Sequence, residues 1–516
     1  MNRVENSTGL DLSCKSGVKT SFWDYSGLLL SNFTLVPLRA VAAAMMARIL
    51  GTEGYGTIAL YASMVSLAHL FAANWTIASV MRFGREEYDK CRGIRQTFWA
   101  RNLILIPCLL IGFLGITLFK HSISQYIGMP NWAIGLLMAS ISVSVTYNYL
   151  EYILQAIHKM RAYAALQVIG NILSIAGLSL LFFKVIYGDY LTVITVGILS
   201  MMATTFVGFS WVPKHLLFPF QLDRKTLRDI FLFSYPIILG SMASYVVAWV
   251  DIFFINHYFM KNVVGEYQLS YQIFTLVLGM VMTVTVVTAP ILTSFIANGQ
   301  QELINRYAAR LVPKGVLLWS VVIGVGLTIS KPLFQFIFGE PFILSSVYFQ
   351  YLVIGAAFNS LVCFHSGILT AYKLTKYMVM VSVSTAVLNL FGDMLLIPRI
   401  GPAGAALSTV GAIGIHSIFY LSMSQKLLKE KLLWHMVLVL PALLSLAITH
   451  LQVGAFTPLL AILMTLLSGF ILGKRLCLFR SDDLILLDYI QMPFLLKRAV
   501  VWIYPYLTGE TNLKKE

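Results

Sequence analysis

Charge is scarce in this chain: Asp, Glu, Lys and Arg make up 11% of its 516 residues, against 58% hydrophobic residues. No polar stretch is long enough to fold as a separate soluble domain, so everything outside the apolar runs is loop or tail. Cysteine is sparse too. Cys14, Cys91, Cys108, Cys363 and Cys477 have neither the paired spacing of a metal centre nor that of a disulfide framework. A nucleophile constellation, a phosphate-cradling glycine loop and a metal cluster are also missing, which argues against hydrolytic and group-transfer chemistry. Residues 1–20 are polar and lack the apolar core of a cleavable signal, so the first apolar run is expected to stay in the mature protein.

What the chain has instead is fourteen apolar runs, near 24–48, 57–80, 102–119, 132–156, 163–183, 190–211, 231–258, 267–296, 315–331, 347–371, 377–397, 402–424, 434–450 and 456–473. About 20 helical residues cross a hydrocarbon core of about 30 Å. The expected fold is therefore an all-α integral membrane protein with about fourteen transmembrane helices, spans 1 to 14. Of the 37 Lys and Arg, 30 fall in the two tails and in the loops after even-numbered spans, and 5 in the loops after odd-numbered spans. Cytoplasmic loops carry that excess, so both termini are expected to be cytoplasmic. The net charge of +15 is spread over one face of the membrane and forms no nucleic-acid-binding domain. The charged stretch Arg82 to Arg101 reads as a solvated loop near anionic headgroups. Residues 474–516 read as a cytoplasmic amphipathic tail, because Leu484 to Leu507 is broken by Asp488, Pro493, Lys497 and Arg498.

Two halves echo each other. Ile153-Leu154-Gln155-Ala156 aligns with Ile368-Leu369-Thr370-Ala371, and Gly54-Tyr55 with Gly265-Glu266-Tyr267. Six spans separate the copies, an even number that preserves orientation, so the repeats are parallel and related by an axis along the membrane normal. The expected organisation is an N-terminal tail (1–23), a six-helix bundle (24–212), a cytoplasmic linker (213–230) and a second bundle (231–424). A cleft lies between the bundles, and two further helices (434–473) precede the tail.

An ionisable side chain near the bilayer centre costs about 2.5–3.5 kcal/mol on insertion scales and survives where it faces a cavity or a partner. Arg39 in span 1 and Asp251 in span 7 each stand sixteen residues before a motif tyrosine, Tyr55 and Tyr267. Their opposite signs suggest a pair across the cleft that forms when its outer mouth closes. Glu151 and Asp393 are candidates for carrying a proton or holding sodium, with a local hydrogen bond to a neighbouring helix as the plainer role. Arg48 reads as snorkelling to the interface, and His69 and His365 as packed.

Three segments resemble one family. Ala47-Arg48-Ile49-Leu50-Gly51-Thr52-Glu53-Gly54-Tyr55-Gly56 is similar to the segment that closes the first span of polysaccharide flippases. Leu395-Leu396-Ile397-Pro398-Arg399-Ile400-Gly401-Pro402-Ala403-Gly404-Ala405-Ala406, preceded by Asn389, resembles their link between spans 11 and 12. In that link Pro398 and Gly401 are expected to end a helix and turn the chain. Asp251 followed by Val264-Gly265-Glu266-Tyr267 completes the set.

The resemblance is to the Wzx-type (O-antigen) flippases of the multidrug, oligosaccharidyl-lipid and polysaccharide exporter superfamily. It implies export of undecaprenyl diphosphate-linked oligosaccharide across the bacterial inner membrane by alternating access, for O-antigen, capsule or exopolysaccharide. It also implies coupling to H+ or Na+ with no bound cofactor or metal, and partnership with a polysaccharide polymerase and chain-length machinery. Arg39 is the first choice for the diphosphate, because guanidinium binds phosphate oxygens in a bidentate fork. Asn32, Tyr147, Tyr245, Trp249 and Asn359 are candidates for sugar contacts; Asp251, Glu151 and Asp393 are candidates for gating or ion coupling. Two rivals stand beside this reading. An ion-coupled multidrug exporter of the same superfamily would want an acid-dominated cleft without a central arginine. A membrane polymerase or ligase would want a large outer loop, whereas the longest here is the interfacial segment Pro332 to Ser346.

Overall fold

The computed structural model describes the backbone of residues 7–451, 454 and 456–479, and side chains from residue 34 onward. The amphipathic tail expected over Leu484 to Leu507 and the side chain of Asn32 lie outside the described residues. Every regular element among the described residues is helical. Thirteen helices are long and apolar enough to cross a membrane. The first of them, Thr34–Cys91, has 58 residues and holds both span 1 and span 2, which reconciles it with fourteen predicted crossings.

Span 1 breaks from span 2 at Gly51, with φ 64° and ψ −172°. Side chains bar nearly every residue but glycine from that region, at a cost of about 1–3 kcal/mol. Gly51→Ala is therefore expected to lower the unfolding temperature of the purified protein by several degrees, read by a thermal melt in detergent. A second left-handed glycine, Gly401 (φ 66°), separates Thr375–Ile400 from Pro402–Leu428. Pro398 does not end its helix as expected; it sits inside the last turn. A proline there removes one ladder bond at an end that frays anyway, so the turn falls to Gly401, and Pro402 opens the next helix with φ already set.

Another expectation is corrected at Pro332 to Ser346. Helix Val312–Phe338 runs through Pro332, and after Gly339 (φ 97°) and the short turn Glu340–Phe342 the next helix starts at Ile343. Apolar side chains extend the buried face past the predicted end of the span: Phe334 is buried, and its ring meets Phe349 at 5.2 Å. The stretch Arg82 to Arg101 is also more structured than a solvated loop. The carboxylate of Glu87 on helix Arg85–Cys91 accepts the backbone N–H groups of Gln96 and Thr97, both at 2.9 Å, and so caps helix Arg95–Leu118 from outside. Arg95 donates to the carbonyl of His215 at 2.8 and 3.0 Å. In the linker, Asp223 caps helix Arg224–Ser234, and hydrogen bonds led by the Thr226 hydroxyl hold its carboxyl below the ordinary value.

The helices form two compact units: residues 7–269 with 337–342 and 393–402, and the remainder of the described residues. In the first unit, span 1 packs along Met160–Phe182, which lies against Tyr190–Ser210, which in turn meets Ile134–Ala156. Leu178, Leu181 and Val193 close one end of this ring against Met45, Met46 and Ile49. In the second unit helix Ile343–Ala371 is the central post, with 89% of its apolar window buried. Helix Leu440–Leu451 packs against it and against Thr457–Arg475. Ser445 ties that layer to span 9, its hydroxyl donating to the carbonyl of Gly324 at 2.6 Å.

Candidate functional site

Three helices of the first unit each present a polar stripe at helical spacing, and the stripes converge. Helix Ile134–Ala156 contributes Ser140, Ser144 and Tyr147, with Glu151 one turn further; helix Met160–Phe182 contributes Asn171 and Ser174; helix Tyr190–Ser210 contributes Ser200 and Thr204. Positions three or four apart lie on one helix face, so each set lines one wall. They surround a cavity of about 520 Å³, to which span 1 adds Arg39 and span 2 adds Tyr61. The hydroxyl of Tyr61 lies 2.5 Å from Ser140 and donates to the carbonyl of Leu136 at 2.9 Å, fixing one rim.

Arg39 is exposed to the hollow and interacts electrostatically with Glu151, Tyr147 and Tyr163. Glu151 is buried; Gln167 donates to its Oε1 at 3.0 Å, and the Tyr147 hydroxyl acts on it electrostatically from one turn away. The same Gln167 amide reaches the Tyr163 hydroxyl at 3.0 Å. No ion pair joins Arg39 to Glu151 among the described residues; ion pairs do form at Arg82–Glu86, His158–Asp89 and Arg306–Glu302. The guanidinium therefore offers its donors to the hollow, and among the described residues Glu151 is the carboxylate that acts on it.

The proposed pairing of Arg39 with Asp251 is absent. Asp251 is buried on helix Ile237–Tyr258, and its Oδ2 accepts a hydrogen bond from the Tyr267 hydroxyl. The spacing of sixteen residues reflects this contact: the chain leaves Asp251, turns at Phe259, and returns along Lys261–Ala297 with Tyr267 abreast of it. Tyr267→Phe strips the carboxylate of that donor and is expected to cost about 1–3 kcal/mol. The loss should appear as a lower yield of monodisperse protein by fluorescence-detected size exclusion, with Asp251→Asn retaining more than Tyr267→Phe.

The other predicted residues are dispersed. Tyr245 donates to the carbonyl of Ser63 at 3.2 Å, and Trp249 is half-buried on the same helix. Asn359, in the second unit, donates to the Cys363 sulfur at 3.3 Å, and Asp393 is fully buried. Arg48 does more than snorkel: its Nε donates to the carbonyl of Ile337 at 2.8 Å. A buried cation passed unnoticed in the sequence. Arg101 is fully buried, its guanidinium 4.0 Å from the ring centroid of Tyr149 and its Nε 3.2 Å from the Thr76 hydroxyl. That cation–π contact takes the place of a carboxylate.

Glycine does the remaining work. A Cβ on Gly56 would stand 2.0 Å from the carbonyl oxygen of Lys261, and one on Gly265 would stand 2.0 Å from that of Thr52. The two repeated glycine-tyrosine segments therefore touch backbone to backbone.

The pattern of a family described as polysaccharide biosynthesis protein matches residues 24–296, and that of the MatE family matches residues 236–395. The probable low-salt glycan biosynthesis flippase Agl15 of Haloferax volcanii is 23% identical over 401 residues, covering 76% of this chain and 81% of that protein. An uncharacterized membrane protein of Methanocaldococcus jannaschii, MJ1068, is 21% identical over 359 residues, 66% of this chain and 69% of that one. Among solved structures, the lipid II flippase MurJ in an inward closed conformation superimposes with a TM-score of 0.67 at 17% identity, over 88% of this chain and 99% of that one. An inward-facing multidrug resistance MATE family transporter of the MOP superfamily gives 0.59 at 15% identity, over 77% and 94%. These two likenesses establish the fold.

Proposed function

We propose, from the premise that this chain belongs to the polysaccharide biosynthesis protein family, that it is a flippase for a lipid-linked oligosaccharide. In the finer form of this reading the substrate is undecaprenyl diphosphate-linked, and it moves from the cytoplasmic to the outer leaflet of a bacterial inner membrane by alternating access. It then feeds O-antigen, capsule or exopolysaccharide assembly beside a polymerase and chain-length machinery. Both termini are cytoplasmic in this reading, and no bond is made or broken.

The observation that carries it is the cavity around Arg39, with polar stripes set in an otherwise apolar lining. The head group is large, polar and anionic at its diphosphate and cannot cross hydrocarbon unaided, whereas its prenyl tail can remain in lipid. A guanidinium presented to a largely apolar hollow that also carries several hydroxyls and the Asn171 amide supplies donors to phosphate oxygens beside groups that can meet sugar hydroxyls. About 520 Å³ lies within the range of a small-ligand site, so the hollow suits the diphosphate with an adjoining sugar and not a whole glycan. Glu151, held by Gln167 beside Tyr147 and Arg39, is the candidate for ion coupling, because its charge state sets how strongly the guanidinium is balanced.

Deleting the gene and assaying lipid-linked glycan by leaflet tests the reading. Accumulation on the cytoplasmic side, relieved by the wild-type gene, is expected. Unchanged glycan together with new sensitivity to cationic drugs would favour the multidrug exporter instead.

A further inference from the structure

We propose that His365 and His435, in the second unit, form a two-imidazole site that binds one proton. His365 lies on helix Ile343–Ala371 and His435 in the 3-10 turn Leu433–Val439 that opens span 13. Both are fully buried, and their ring centroids are 5.7 Å apart at an interplanar angle of 34°. All four ring nitrogens are buried and have no protein hydrogen-bond partner among the described residues.

A neutral imidazole carries one N–H donor and one acceptor nitrogen. Leaving such groups unsatisfied in an apolar interior costs about 1–3 kcal/mol each, and buried orphans of this kind call for a reason. The two rings are each other's remedy. An N–H···N bond spans about 2.9 Å between nitrogens; with the two ring radii added, that is about half an ångström short of the separation observed, so a ring rotation with a small approach of the two side chains closes it. One added proton turns the contact into an imidazolium donating to a neutral imidazole, a charge-assisted bond stronger than the neutral one. A second would set two like charges against each other in an apolar setting. The chemistry therefore selects a single shared proton.

The surroundings leave the charge to the pair. On the helix of His365, the Cys363 thiol is engaged with Asn359, and the Tyr307 hydroxyl is committed to the carbonyl of Phe364 at 2.9 Å. Against His435 stands the Trp434 ring, edge-on at 4.4 Å. Among the described residues no carboxylate, lysine or arginine acts on either ring. His435 also sits where a helix begins, and the N-terminal end of the dipole opposes a cation. Taking up a proton thus stresses the contact between spans 10 and 13. That such a proton drives transport rests on the flippase reading; that it binds does not.

The test is solid-state NMR on the full-length protein, labelled with 15N-histidine and reconstituted in lipid, over about pH 5 to 8, where imidazole titrates. As pH falls through this range the wild type is expected to show a through-hydrogen-bond 15N–15N coupling between two histidine nitrogens together with the 15N shifts of one doubly protonated ring, and both signals should vanish in His365→Gln and in His435→Gln. No coupling at any pH in that range overturns the proposal, and so does a coupling that survives both substitutions or one seen only with both rings neutral. The wild-type measurement decides even if a variant fails to fold, because this is the one contact between histidine rings among the described residues. A preparation that shows the coupling but moves no lipid-linked glycan keeps the proton site and removes the flippase reading.

Discussion

Replacing Gly56 or Gly265 with valine is expected to abolish export, and alanine at either place to reduce it severely. A Cβ at these positions would meet backbone carbonyls at 2.0 Å, inside the 3.0 Å that real side chains keep, and backbone cannot step aside as a flexible side-chain end can. Forcing extra volume into so close a crossing costs about 1–3 kcal/mol, occasionally more. The cost falls on the contact that joins the break after span 1 to the start of helix Lys261–Ala297. Gly112→Ala is the control: nothing lies within 4 Å of its Cβ, and alanine favours a helix by about 1 kcal/mol over glycine. Surface glycan, normalised to protein in the membrane, should stay at wild-type level for Gly112→Ala and fall below about a tenth of it for Gly56→Val. Wild-type export by both valine variants would remove the crossing from the account.

The second large effect is expected at Arg39. Losing hydrogen bonds from a charged donor costs about 1.5–3 kcal/mol, so Arg39→Ala should lower the initial rate of glycan export by about 10- to 100-fold. Arg39→Lys should fall between, because an ammonium keeps the charge and gives up the bidentate fork. Arg39→Glu should be the most damaging, since it places a second carboxylate beside Glu151 and facing an anionic head group. Protein level in the membrane should be unaffected in all three, because the side chain is exposed to the hollow and fills no core.

Why some of this was legible in the sequence and some was not follows from the range of each interaction. Crossings are written as runs of about twenty apolar residues, so all fourteen spans appear in order; span 9 runs on through Pro332 to Phe338, and predicted span 7 divides into Arg224–Ser234 and Ile237–Tyr258. Arg39 stands out because a lone charge in an apolar run is costly. One wall of its cavity was written too, as Ser140, Ser144 and Tyr147 at helical spacing, with Glu151 one turn beyond. Small hydroxyls are nevertheless common in membrane helices as packing residues, and only the convergence of three such stripes distinguishes a hollow. Arg101 was hidden for the opposite reason. It ends a cluster of charges, and nothing local says that Tyr149, forty-eight residues later, lies over it. Asp251 was conspicuous, yet its partner was assigned by sign when the nearer donor was the Tyr267 hydroxyl. His365 and His435 are seventy residues apart and become a pair only when span 13 folds against span 10.

The central claim is that the Arg39 hollow receives the anionic head of a lipid-linked glycan and carries it between leaflets. Purified protein reconstituted into liposomes with an undecaprenyl diphosphate-linked oligosaccharide, followed by access of a glycan-cleaving enzyme added outside, measures this directly. The account predicts that wild-type protein exposes the inner-leaflet pool over time and that Arg39→Ala, folded and inserted equally well, does so at least about tenfold more slowly. Equal rates for the two proteins, or no exposure by the wild type under an imposed proton or sodium gradient, would contradict it.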